Sequence, residues 1–147
     1  MGSRFSQESA DWFVAFLEVA RKHYGLELDW ISAGQNEMGT DLNWIQKNLR
    51  PTLDARGFSK VKLQAPDDDS EYWQAFDGLE KNPEADRLIS AVGYHYVDGR
   101  EPWEIDQKAG RDATEKAKRS GKPLWASEEW SLSGARWGAR VHSIWPG

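Results

Sequence analysis

Residues 26–37 read LELDWISAGQNE, and the fold can be inferred from the pattern of this segment. It first alternates apolar and polar residues and then becomes small and apolar, as a strand does when both of its faces become buried. Three polar residues, Gln35, Asn36 and Glu37, follow directly. The pattern therefore predicts a strand of a largely buried sheet with an acidic side chain at its carboxyl end.

A helix is predicted before this strand and another after it. Apolar residues at helical spacing predict the first helix from about Glu8 to Tyr24, and Gly25 ends it. Thr40 is predicted to be the N-cap of the second helix, which continues to Gly57 with a kink at Pro51. Strand and helix therefore alternate from the start of the chain.

The same alternation continues to the end of the chain. Strands are predicted at 61–65, 88–96 and 122–127, with helices between them at about 70–81 and 102–120. Alternating helices and strands indicate an α/β fold with a parallel sheet, either doubly wound or curled into an eight-stranded barrel. Four strands cannot close a barrel. If the fold is a barrel, residues 1–147 are therefore expected to form a single partial segment of it.

The amino-acid composition and charge of the chain exclude several classes of protein function. The chain has 147 residues, nine of them Trp, a formal net charge of −5 and no cysteine. The tryptophans favour a folded chain and suit stacking on sugar rings, although most of them are expected in the core. The mixed charges do not resemble a nucleic-acid-binding stripe, and no apolar run is long enough to span a membrane. Because no strand leads into a glycine-rich phosphate loop, a flavodoxin-like nucleotide domain is disfavoured.

Functional residues of parallel α/β folds lie at the carboxyl ends of the strands. The predicted ends carry Asn36 and Glu37, then Asp67, then His95 and Tyr96, and finally Glu128 and Glu129. Two glutamates on separate strand ends are the minimum for cleavage of a glycosidic bond. Each signal also has a structural reading, since Glu128-Glu129 suits a solvated loop and His95 suits a buried, hydrogen-bonded histidine.

A cluster of three aspartates, at positions 67–69, follows the second predicted strand. Because a predicted helix begins directly after them, the aspartates are interpreted as a loop and helix-start cluster rather than as a metal site. Neither a metal nor a cofactor is predicted for this chain.

The order of strand, Asn-Glu, a His-containing strand end and a second strand end with Glu resembles strands four to seven of a (β/α)8 barrel. In particular, it resembles glycoside hydrolase family 59. The resemblance lies in 28–31 leading to Asn36-Glu37, in Val92-Gly93-Tyr94-His95-Tyr96, and in 120–131, which read SGKPLWASEEWS. It covers roughly residues 10 to 137 and includes no counterpart of strands one to three.

The resemblance implies a retaining β-glycosidase that hydrolyses the β-galactosidic bond of galactosylceramide-type glycolipids as part of a complete barrel. Glu37 would be the acid/base and Glu128 the nucleophile, with Glu129 only a neighbour. Asn36 would bind the sugar 2-hydroxyl, and the remaining substrate contacts would come from His95, Tyr96 and Trp130. Gln35 departs from the aromatic residue expected before Asn-Glu.

The resemblance also implies a lysosomal or secreted location and a partner that presents lipid. Exposed strand edges predict self-association, and no nucleic-acid partner is expected. The alternative function is a half-barrel that binds a glycolipid or a partner subunit without catalysis. Turnover of a nitrophenyl β-galactoside would distinguish the two.

Overall fold

The computed structural model describes residues 4–34, 39–68, 74–95, 115 and 118–128. The elements, in chain order, are α1 (Gln7–Tyr24), β1 (Trp30–Ser32), α2 (Leu42–Trp44), a π-helical turn (Ile45–Leu49), α3 (Arg50–Ala55), β2 (Lys62–Asp68), α4 (Gln74–Lys81), α5 (Pro83–Leu88), β3 (Ile89–His95) and β4 (Leu124–Glu128). The four strands form one parallel sheet in the order β1-β2-β3-β4. The predicted alternation of helices with parallel strands is therefore confirmed.

Local chemistry explains where α1 begins and ends. The Ser6 hydroxyl accepts a hydrogen bond from the Ser9 amide, and the Ser9 hydroxyl accepts one from the Ser6 amide, which completes a capping box. At the other end the helix stops at Gly25, as predicted, and Gly25 adopts a left-handed conformation with φ of 65°. The amide of Leu26 then donates to the Ala20 carbonyl at 3.1 Å. Leu26 is therefore part of the helix termination and not of the strand, and β1 (Trp30–Ser32) is shorter than predicted.

The long second helix differs from the prediction in two details. Asp41, not Thr40, is its N-cap, and its carboxylate accepts from the Trp44 amide at 2.9 Å. A carboxylate is well suited to this position because the helix N-terminus carries partial positive charge. The kink predicted at Pro51 is a π-helical turn just before it, in which the Arg50 amide donates to the Ile45 carbonyl. Pro51 itself lies in the first turn of α3, where no amide is needed.

The segment before β3 holds a helix that was not predicted. Asn82-Pro83 ends α4 as expected, but the Asn82 side chain also accepts from the Ala85 amide at 3.1 Å and caps α5. Strand β3 then follows without a connecting loop, because Ile89 is extended directly after Leu88. Of the next predicted helix, residues 115 and 118–120 are described and helical, and Gly121 follows with φ of 69°.

The helices pack on one face of the sheet and form the core there. Leu63 and Val92 of the strands are fully buried together with Leu17, Ile45 and Leu49 of the helical layer. Complete burial of an aliphatic side chain of this size contributes about 1.5–3 kcal/mol. Among the described helices, none is both long and apolar enough to cross a membrane.

The opposite face of the sheet is concave. Trp30 of β1 and Trp125 of β4 lie in ring contact, with centroids 4.5 Å apart, although two strands separate them in the sheet. Neighbouring strands are about 4.8 Å apart, so the outer strands of a flat four-stranded sheet would be separated by roughly 14 Å. The contact therefore shows a curled sheet, the half-barrel expected of a partial (β/α)8 barrel.

Candidate active site

The carboxyl ends of all four strands converge on one cluster of polar side chains. Ser32 ends β1, Asp67 lies near the end of β2, His95 ends β3 and Glu128 ends β4. His95 and Glu128 are direct partners in the β3–β4 register. This edge of the sheet is where catalytic residues of (β/α)8 barrels are found.

Asp67 is the centre of the cluster. Its carboxylate accepts a hydrogen bond from the Ser32 hydroxyl at 3.0 Å and lies 3.1 Å from Nε2 of His95. The Ser127 hydroxyl and, at 3.4 Å, the amide of Gln64 also bond to it. Burial raises the pKa of the Asp67 carboxyl, but the bonds from Ser127, His95 and Ser32 together with the charge of His95 outweigh burial, so the pKa lies below its ordinary value.

This position corrects the interpretation of the aspartates at 67–69. Asp67 lies within β2 and bonds to neighbouring strands, so it is not part of a loop or a helix-start cluster. The strand was predicted at 61–65 and extends further, past Pro66, which cannot donate to a sheet ladder. In the structure the β2–β3 register shifts between Gln64 and Asp67, and pairing resumes at Asp67 and Gly93. Among the described residues, no group of three or more histidine, cysteine or acidic side chains is arranged to hold a metal ion.

His95 joins Asp67 to Glu128. Its side chain is 1% exposed. Because an ionised carboxylate only accepts hydrogen bonds, the short contact with Asp67 puts a proton on Nε2 of His95. Nδ1 of His95 then faces Glu128, with Oε2 at 4.0 Å. The structural and functional interpretations of His95 therefore coincide, since the ring is buried and bonded and also reaches the predicted nucleophile.

Glu128 is more accessible than Asp67 and His95, with 37% of its side chain exposed. It is the last residue of β4 and not the first residue of a following loop. Of the predicted site residues, His95 and Glu128 are thus found side by side. The other four, Asn36, Glu37, Tyr96 and Trp130, lie outside the described residues.

Two glycines allow the strands to approach closely below the cluster. A Cβ at Gly93 would lie 1.9 Å from Nε2 of Gln64 and 2.8 Å from the Ser127 hydroxyl. A Cβ at Gly34 would lie 2.7 Å from the Asp67 amide. Glycine at both positions therefore lets Gln64 and Asp67 pack against the neighbouring strands.

Ser32, Gln64, Asp67 and Ser127 were missed as site residues. Each looks ordinary in the sequence, because serine and glutamine carry no distinctive motif and Asp67 begins a run of three aspartates. Asp67 was one of the residues at predicted strand ends, and that position was the available signal for it.

The sequence of this chain is similar to a known protein family and to proteins of known activity. The sequence profile described as "Glycosyl hydrolase family 59" matches residues 1–144. The chain belongs to this family. It is also 30% identical over 134 residues to galactocerebrosidase of Mus musculus and 28% identical over the same length to that of Homo sapiens. Each alignment covers 90% of this chain, and the chain spans only 17% of the length of these relatives.

A solved structure supports the fold. SrfJ of Salmonella typhimurium superposes with a TM-score of 0.68 at 16% sequence identity, covering 95% of this chain and 33% of that one. At this identity the likeness concerns the fold alone. The curled parallel sheet of this family 59 chain thus corresponds to part of a larger known structure, and the family membership identifies the chain as glycoside hydrolase sequence.

Proposed function

We propose that this chain supplies the catalytic half of a retaining β-galactosidase that acts on galactosylceramide-type glycolipids, within a complete barrel. The observation that carries the proposal is Glu128, an accessible carboxylate at the carboxyl end of a barrel strand beside the buried His95. The family membership and the galactocerebrosidase relatives support the substrate class.

The proposed reaction has two steps. Glu128 attacks the anomeric carbon while Glu37 gives its proton to the leaving oxygen, so a glycosyl ester forms and the lipid alcohol departs. Water then attacks the same carbon, Glu37 takes its proton and the ester bond breaks with its electron pair returning to Glu128. This chemistry requires the two carboxyl groups to be about 5–5.5 Å apart.

The remaining predicted residues have roles in substrate binding. Asn36 would hydrogen-bond the sugar 2-hydroxyl, and Tyr96, Trp130 and His95 would line the sugar site. No metal or cofactor has a step in this reaction. A lysosomal or secreted location and a lipid-presenting partner belong to the same proposal.

Azide distinguishes the two glutamates. Glu128→Gln should abolish the turnover of a nitrophenyl β-galactoside. Glu37→Gln should mostly slow the hydrolysis of other β-galactosides, those with poor leaving groups. Azide should rescue Glu37→Gln and give a β-galactosyl azide, because azide attacks the glycosyl-enzyme without a base. Loss of turnover in Glu129→Gln but not in Glu128→Gln would show that the nucleophile is the adjacent residue. A β-azide formed by Glu128→Gln would show that the two roles are reversed.

A non-catalytic binding half-barrel is the second candidate. The specific observation in its favour is the concave face, where the paired Trp30 and Trp125 offer aromatic surface and Trp125 is 37% exposed. Saturable quenching of tryptophan fluorescence by a β-galactoside, without any turnover, would favour this candidate. Turnover that Glu128→Gln abolishes would exclude it.

A further inference from the structure

We propose that Asp67 is a positioning residue that acts on Glu128 through His95. The inference rests on the proposed role of Glu128, and it adds a residue from a third strand to the site. The three side chains form a line across the sheet, from Asp67 on β2 through His95 on β3 to Glu128 on β4.

Asp67 is itself held in place. Ser32 donates to one carboxylate oxygen at 3.0 Å, and His95 and Gln64 bond to the other at 3.1 and 3.4 Å. The amide of Gln64 also donates to the Pro66 carbonyl at 2.7 Å. Since bonds from β1, β2 and β3 fix both oxygens, the carboxylate cannot rotate away from the imidazole.

This arrangement determines what His95 presents to Glu128. With Nε2–H donating to Asp67, the nitrogen facing Glu128 is always Nδ1, at 4.0 Å. A singly protonated ring presents a lone pair to the Glu128 carboxylate, and a doubly protonated ring presents an N–H and a positive charge. In the described part of the chain, the charged groups that face the ring are Asp67 from β2 and Glu128 from β4, while Ser32, Ser127 and Gln64 are neutral.

The consequence concerns the second step of the proposed reaction. When the ester bond breaks, charge returns to the Glu128 carboxylate, and a doubly protonated His95 ring, which carries an N–H at Nδ1 as well as at Nε2, would stabilise that charge. A group that acts only in the second step changes kcat and KM together and leaves kcat/KM, which reports the first step, nearly unchanged. Asp67→Asn should therefore lower kcat by about ten- to a hundredfold, with KM falling alongside it and kcat/KM little changed.

Nitrogen NMR on the full chain tests the inference without relying on turnover. Long-range ¹H–¹⁵N spectra of the wild-type protein should show the His95 ring with a proton on Nε2, assigned by its loss in His95→Gln. Asp67→Asn should reduce the population of this tautomer, whereas Asp54→Asn, which changes an aspartate paired with Arg50 on α3, should not. A wild-type ring protonated on Nδ1 alone, or a folded Asp67→Asn protein with an unchanged ring signal, would overturn the inference.

A second measurement follows Glu128 and needs only the wild-type chain and one variant. At one fixed pH, Asp67→Asn should change the carboxyl ¹³C shift of Glu128 together with the ring signals of His95. Glu27, which pairs with Arg21, serves as the internal control and should show no such change. Absence of the coupled change at Glu128 refutes the inference even in an active protein. Conversely, a coupled change in a protein without galactosidase activity refutes the proposed function and leaves the coupling intact.

Discussion

At the scale of single residues, the Asp67 carboxylate lies among hydrogen-bond donors that favour its ionised form. Asp67 lies partly buried with donors from all four strands around it, and its pKa is lowered despite the desolvation. Folding therefore stabilises the charged form of this residue. The same residue links the sheet ends to one another and sets the protonation pattern of His95.

Asp67 should make stability depend on pH. A carboxyl with a lowered pKa in the folded state stabilises the fold above its unfolded value near 3.8, and this contribution is lost as the pH falls through the lower folded value. The difference in unfolding free energy between pH 7 and pH 3 should therefore be smaller in Asp67→Asn than in wild type. Ser32→Ala, which removes one donor, should give an intermediate difference in urea titrations. An identical difference in all three proteins would contradict the assignment.

Gly93 should tolerate no side chain. Gly93→Ala places a methyl group against the buried Gln64 amide, so we expect a loss of about 1–3 kcal/mol in unfolding free energy. The double variant with Gln64→Ala should lose less than the sum of the two single variants, because the obstructing side chain is gone. Urea unfolding of the four proteins measures this, and simple additivity would show that the two residues do not compete for space.

At the scale of elements, the boundaries are decided by single hydrogen bonds at the ends. Ser6 begins α1, Asp41 begins α2 and Asn82 begins α5, each by accepting from an amide of the first turn. The short helix α5 depends strongly on such a bond, since it has only six residues and, unlike α2, does not continue into a further helical turn.

Asn82 should therefore be important for stability. Asn82→Ala should lower the unfolding free energy by about 1 kcal/mol, because one amide of α5 loses its acceptor. Asn82→Ser keeps a capping oxygen and should stay close to wild type. Equal losses for both variants in chemical denaturation would show that the side chain stabilises the protein by packing and not by capping.

At the scale of the whole molecule, apolar surface remains exposed. Trp12 and Phe16 stack on the outer side of α1 and are 65% and 53% exposed, while β1 and β4 are the outer strands of the described sheet. Exposed aromatic patches and strand edges favour association. The predicted self-association could therefore use either the aromatic surface of α1 or the edges of the outer strands.

Light scattering over a range of concentrations should show mass increasing with concentration. Phe16→Glu should weaken this increase if the α1 surface takes part. Lys22→Gln on the same helix alters the net charge by the same single unit and should leave association unchanged. A monomer at all concentrations would contradict the prediction, and association that Phe16→Glu leaves intact would assign it to the strand edges.

Except for the short helix α5, the sequence alone determined the order of helices and strands, the parallel sheet and the strand ends that carry His95 and Glu128. These features depend on residues close together in the chain, so apolar periodicity and terminating glycines such as Gly25 report them directly. Family resemblance then selected the barrel over the open sheet. The roles of Glu37 and Glu128 stay predictions.

The tertiary structure alone decided the environment of those strand ends. The bond between Ser32 and Asp67 joins residues 35 positions apart, and the bond between Asp67 and His95 joins residues 28 positions apart. The close approach of Gly93 to Gln64 likewise depends on strand register. Local periodicity carries no information about such pairs, because the register and the curl of the sheet emerge only when the whole helical layer packs against it.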